Sequence, residues 1–337
     1  MAERLRLPGF VNAHSHAFQR LLRGRAEGGD FWAWREQMLD VARRVAPTDV
    51  RVEYEAVYRE MRAAGYTAVG EFHYLGFAEA EATAAAAGPA GVTLVLLYAA
   101  YARGGIERFR QPSVAAYLDD VERLRERARV GLAPHSVRAC PRAWLEEIGR
   151  YAEREELVLH VHADEQPREI EECVAEHGLR PIELLASTGC LGPRTTIVHA
   201  THANDHELDL LRDAGTRICA CPTTEANLGD GFLPVERVLE RGVPLCIGSD
   251  SNVRIDPFEE LRELEAIGRR QALRRNVIAP AELVRIGTTE GAAALGLADW
   301  DSIEVDLGHR SLARVDRQDV REALLFGCAA DVVISAP

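Results

Sequence analysis

Along this 337-residue chain, short apolar runs alternate with longer segments whose apolar residues recur every three or four positions. Eight β-rich runs stand out: Phe10–His16, Thr67–His73, Thr93–Ala99, Val130–Ser136, Leu157–Ala163, Thr195–Thr201, Arg217–Thr223 and Pro244–Asp250. Several, such as Val92-Thr93-Leu94-Val95-Leu96-Leu97, are apolar almost without interruption, which suits strands of a parallel sheet covered on both faces. Helical patterns lie between them. Ala143–Glu156 follows Pro141 and places Trp144, Leu145, Ile148 and Tyr151 on one face, while Asn204–Ala214 opens on an Asn-Asp cap and closes at Gly215. Strand and helix alternating eight times predict a (β/α)8 TIM-type barrel over residues 7–297, rather than a doubly wound sheet.

The polar positions strengthen that choice. Six runs end at or beside a chemically capable side chain: His14 and His16, His73, His135, His160 and His162, His199, and Asp250. In a barrel these strand ends converge on one face, whereas a doubly wound sheet would spread them along a line. After the eighth run come an amphipathic helix over Asp256–Arg275 and another from Pro280 to about Leu297. Residues 298–337 form a short mixed C-terminal segment, with a brief strand expected at Ala330–Ser335.

Composition narrows the function classes. A chain 47% hydrophobic and 28% charged can bury a large core. Its net charge of -13, with no basic stripe, argues against nucleic-acid and anionic-membrane partners. No run approaches the roughly 20 apolar residues of a membrane span, and Met1–Phe10 holds no signal-like stretch. The seven cysteines form no CxxC pair, and several sit inside apolar runs, as free thiols in a reducing compartment would. A soluble, cytoplasmic protein is expected.

His14-Ser15-His16 ends the first run, and side chains two apart on a strand share a face. Alone the pair is no more than polar lining. A second pair, His160-Val161-His162, and Asp250 at the eighth strand end change that reading. Three imidazoles with one carboxylate and a position left for water make a catalytic site for one divalent metal, Zn2+ or Fe2+. Glu165, three residues past His162, falls in the loop above that metal, where a deaminase needs a general acid/base. Asp164 suits the start of a helix, and Ser251 or Asn252 is the expected cap after Asp250.

The order of these residues resembles the amidohydrolase superfamily. Within it, the words Pro8-Gly9-Phe10-Val11-Asn12-Ala13-His14-Ser15-His16-Ala17-Phe18-Gln19-Arg20, Phe31-Trp32-Ala33-Trp34-Arg35-Glu36, His135-Ser136-Val137-Arg138-Ala139 and Pro222-Thr223-Thr224-Glu225-Ala226-Asn227-Leu228-Gly229-Asp230-Gly231 are similar to those of the formimidoylglutamate deiminases. The resemblance implies metal ligands His14, His16, His162 and Asp250, with Glu165, His199 and Asp250 handling protons and water. It places substrate contacts at Gln19, Arg35, Tyr74, His135 and Arg138. It also implies a small dicarboxylate substrate and a small β-sandwich beside the barrel that is truncated here, with residues 298–337 as its remnant; a homodimer is a separate expectation, on which the sequence itself is silent. Two other readings stay open: a deaminase of a purine, pyrimidine or triazine ring, and a barrel that only binds.

Overall fold

The computed structural model describes residues 3–334. Eight parallel strands form one sheet in sequence order: β2 (Phe10–Ser15), β3 (Tyr66–His73), β4 (Thr93–Ala100), β5 (Val130–Pro134), β6 (Leu159–Ala163), β7 (Thr195–His199), β8 (Arg217–Ala220) and β9 (Leu245–Ile247). Every residue of β2, β3, β5, β6, β7 and β9 is buried, which is why these runs lack a polar alternation. Their inward side chains fill the barrel and their outward ones pack under the helices.

The first and last strands meet through a short polar seam. Ser15 and Asp250 form a parallel bridge: the His16 N–H donates to the Asp250 carbonyl (2.8 Å), and the Asp250 N–H to that of His14 (3.0 Å). Side chains extend the seam. Asn12 Nδ2 donates to Ser249 Oγ (2.7 Å), Ser249 N–H donates to Asn12 Oδ1 (2.9 Å), and Asn252 Nδ2 donates to Ser15 Oγ (3.1 Å). All these groups are buried, so each satisfies a polar atom that would otherwise be desolvated without a partner. Gly248 is needed for the approach, since a Cβ there would lie 2.7 Å from the His14 carbonyl oxygen.

The helices follow the sequence pattern with shifted ends. The predicted Ala143–Glu156 helix runs Arg142–Arg154. Asn204 caps Asp205–Ala214 by accepting from the Glu207 N–H, and Gly215 ends it at φ 69°. The helix expected over Asp256–Arg275 spans Pro257–Ala272, and its cap corrects the assignment to Ser251 or Asn252. Asp256 Oδ1 accepts from the Phe258 and Glu259 N–H groups, while Asn252 is occupied in the seam. The segment from Pro280 is broken by a π-helical turn at Ile286–Glu290. Two helices, Phe31–Arg44 and Pro47–Ala64, fill the long connection from β2 to β3.

A second, three-stranded antiparallel sheet lies outside the barrel. β1 (Arg4–Pro8) pairs with β10 (Ser302–Asp306), which pairs with β11 (Val333–Ile334). β1 was not foreseen, because its burial alternates over only five residues. The strand expected at Ala330–Ser335 is shorter: a 3-10 turn occupies Ala330–Val332, and Ser335 lies outside the described residues.

Candidate active site

The ends of β2, β6 and β9 bring His14, His16, His162 and Asp250 to one point, all buried, with ligand atoms within 4.8 Å of one another. The Nε2 atoms of His14 and His16 are 3.1 Å apart, those of His14 and His162 3.1 Å, and those of His16 and His162 3.3 Å. Asp250 Oδ1 is 3.4 Å from both His14 Nε2 and His16 Nε2. The far ring nitrogens set the tautomers. His16 Nδ1 donates to the Phe72 carbonyl (2.8 Å) and His162 Nδ1 to that of His135 (2.9 Å), so both Nε2 atoms present lone pairs. Burial, reinforced for His14 and His162 by neighbouring imidazoles, lowers all three pKa values and keeps the rings neutral. Two converging lone pairs and a carboxylate, with the His14 Nε2 between them, form a cluster that a cation would hold together. A tetrahedral Zn2+ with nitrogen ligands at about 2.0–2.1 Å holds them about 3.4 Å apart, close to the spacing here.

Around this point lie the proton-handling candidates. His199 Nε2 is 3.6 Å from Glu165 Oε1 and 3.9 Å from Asp250 Oδ2. Burial disfavours the imidazolium, but Glu165, Glu225 and Asp250 outweigh it and raise the His199 pKa to about 10. Burial raises that of Glu165 to about 7, although His199 and Arg138 pull the other way. The backbone bends sharply here, with φ of 74° at His199 and 44° at Asp250. Such strained conformations aim side chains out of the strand ends and into the site.

Above these groups opens a cleft whose lining includes all five sequence-predicted contacts: Gln19, Arg35, Tyr74, His135 and Arg138. Gln19 Nε2 donates to Tyr74 Oη (2.7 Å), leaving the buried Gln19 Oε1 unpartnered. Arg138 is ringed by carboxylates, with Glu169 at 3.5 Å and Glu165 at 3.8 Å. Not every strand-end histidine belongs. His73 faces outward, with Nε2 3.2 Å from the Gly76 carbonyl and Nδ1 3.2 Å from Thr83 Oγ1; His160, two residues before His162 on the same face of β6, points its Nε2 at the Ala294 carbonyl (2.9 Å) instead of the cluster.

Sequence reasoning passed over three residues. Glu225 Oε1 receives the Cys221 N–H (2.8 Å) and lies 3.3 Å from His199 Nδ1. It occurs in one of the quoted words, yet nothing in its spacing marked it as the partner of His199. Arg103 lines the cleft but is held by Glu176 at 2.7 and 2.8 Å. Glu169 was hidden as an ordinary acid in a helix's first turn.

A sequence profile of the amidohydrolase family matches residues 5–306, most of the chain and every residue of this site. The chain belongs to the amidohydrolase family. As an amidohydrolase it is a metal-dependent hydrolase of carbon–nitrogen bonds. It is 38% identical over 319 residues to the formimidoylglutamate deiminase of Pseudomonas aeruginosa, covering 86% of this chain and 70% of that one. It is 32% identical to the 5-methylthioadenosine/S-adenosylhomocysteine deaminase of Haloarcula marismortui, covering 92% and 72%. Among solved structures, an amidohydrolase from Brucella melitensis is 31% identical and superposes with a TM-score of 0.88, over 97% of this chain and 84% of that one. All seven cysteines are free and buried, and no helix among the described residues is long and apolar enough to cross a membrane.

Proposed function

We propose that this amidohydrolase converts N-formimidoyl-L-glutamate to N-formyl-L-glutamate and ammonia. The observation that carries the reading is the presence of two guanidinium groups, Arg35 and Arg138, in the lining of the cleft that ends at the histidine–aspartate cluster. A substrate with two carboxylates uses both forks, whereas a neutral ring uses neither. Similarity to the Pseudomonas aeruginosa deiminase supports the same substrate.

His14, His16, His162 and Asp250 would hold one divalent metal, and their donor set of three imidazole nitrogens and a carboxylate fits Zn2+, with Fe2+ the alternative. The ion supplies Lewis acidity, making water a competent nucleophile near neutral pH. Asp250 and His199 orient that water toward the formimidoyl carbon. Glu165 accepts its proton and delivers it to the terminal nitrogen, an exchange that a carboxyl with a pKa of about 7 performs in both directions. The bond from carbon to that nitrogen breaks as the second water proton reaches the nitrogen through Glu165, ammonia leaves, and the water oxygen remains as the formyl oxygen. Gln19, Tyr74 and His135 bound the formimidoyl end of the cleft and orient it.

The deciding assay is ammonia release from formimidoylglutamate, beside formimidoyl-aspartate, cytosine, guanine and methylthioadenosine. Turnover of the first, with Arg138→Met raising KM by about tenfold or more, is expected from the loss of a charge-assisted contact. An unchanged KM in that variant, or turnover confined to a ring substrate, overturns the assignment.

A further inference from the structure

The helix Pro167–His177 starts directly behind Glu165, and Glu169 lies in its first turn, fully buried. Its two oxygens face different tasks. Oε2 accepts the Glu165 backbone N–H (3.2 Å), while Oε1 lies 3.5 Å from Arg138 Nε. Neither Glu169 Oε1 nor Arg138 Nε makes a hydrogen bond among the described residues, so their 3.5 Å approach is an ion-pair contact between two buried atoms with nothing else to meet. Each is therefore the sole available partner of the other, in a place where water does not reach. Arg138 has a second option: Glu165 Oε2 is 3.8 Å from its Nη2. A guanidinium between two carboxylates settles on whichever binds it more closely.

We propose that Glu169 is a positioning residue for substrate recognition, tethering the Nε edge of Arg138 so that its terminal nitrogens stay available to a substrate carboxylate. This rests on the proposed dicarboxylate specificity. Without the tether, Arg138 closes onto Glu165, withdrawing the guanidinium from the cleft and occupying the carboxylate that handles the proton. One buried side chain thereby joins the recognition of a remote carboxylate to the loop carrying the reaction. The neighbouring charges agree with this arrangement, since Glu169 and then Glu165 are the leading influences that outweigh burial and raise the Arg138 pKa.

A purely architectural role would be helix capping, in which glutamate and glutamine serve alike. Glu169→Gln therefore preserves the cap and removes the tether. Glutarate binding, measured by titration calorimetry on metal-loaded protein, reports the carboxylate site without requiring turnover. Glu169→Gln is expected to weaken glutarate about tenfold in the wild-type background and to have no further effect in Arg138→Met, with metal content and Tm unchanged. Equal weakening in both backgrounds, or tighter binding once the negative charge is gone, overturns the proposal; so does failure of the wild-type protein to bind glutarate. Absence of formimidoylglutamate turnover alongside intact Glu169–Arg138 coupling would instead sink the substrate assignment alone.

Discussion

Raising the pH should cost this protein stability through Glu71, a carboxyl sealed in the wall of the barrel. Its Oε1 accepts the Ala17 N–H (2.7 Å) and so holds the turn that follows His16, with the Ser15 and Tyr58 hydroxyls beside it. Burial raises its pKa from 4.5 to about 8, and the Ala17 N–H with the Ser15 and Tyr58 hydroxyls offsets only part of that. The folded state therefore keeps a proton that the unfolded chain releases at lower pH. The resulting stabilisation is complete below about 4.5, declines as pH rises, and is gone above about 8. At 1.36 kcal/mol per pH unit, the difference between those limits is at most about 5 kcal/mol. Glu71→Gln keeps the acceptor for Ala17 and cannot ionise. Urea unfolding of both proteins from pH 5 to 9, at saturating metal, isolates this group, because every other titrating site cancels in the difference. Wild type should fall relative to the variant between those pH values. A difference that stays flat means that Glu71 is already ionised in the fold, and the argument from burial fails.

Three other outcomes follow from the site. Glu165→Gln should lower kcat by about 10²-fold or more with metal content unchanged, which kinetics alongside elemental analysis can check. Gly248→Ala pushes a methyl to 2.8 Å from His14 Cβ, so unfolding should show a loss of about 1–3 kcal/mol together with weaker metal retention. Metal removal by a chelator should lower Tm and restore it on adding Zn2+, because the ion binds the folded arrangement and not the unfolded chain.

Much of this was legible in the chain. Eight apolar runs gave eight strands, since a strand buried on both faces needs an uninterrupted apolar stretch and little else has that pattern over so few residues. Five of their C-terminal limits were drawn too long. The runs ending at Thr201 and Asp250 stop as strands at His199 and Ile247, because the functional residues sit where the backbone has already turned to positive φ. The ligand set stood out because two histidines at strand spacing occur twice, followed by an aspartate at a strand end. His160 shows the limit of that signal. It has the same spacing as a ligand and shares a face with His162, but it lies two residues further from the C-terminal end of β6, and its Nε2 is taken by the Ala294 carbonyl. Glu169 and Glu225 were illegible for a different reason. A buried acid in a helix's first turn reads as a cap, and only tertiary packing reveals that its second oxygen meets an arginine or a histidine from a distant strand.

The polar seam between β2 and β9 carries a topological consequence. His14 and His16 lie on one side of the joint and Asp250 on the other, so an ion held by all three bridges the two strands whose meeting closes the barrel. The seam has only a brief ladder, and it joins residues separated by more than two-thirds of the chain, the longest loop the barrel must close. The metal is thus a clasp as well as a reagent. Cation affinity and barrel closure are then two readings of one equilibrium, and a substitution that loosens the joint should release the ion even where no ligand is touched.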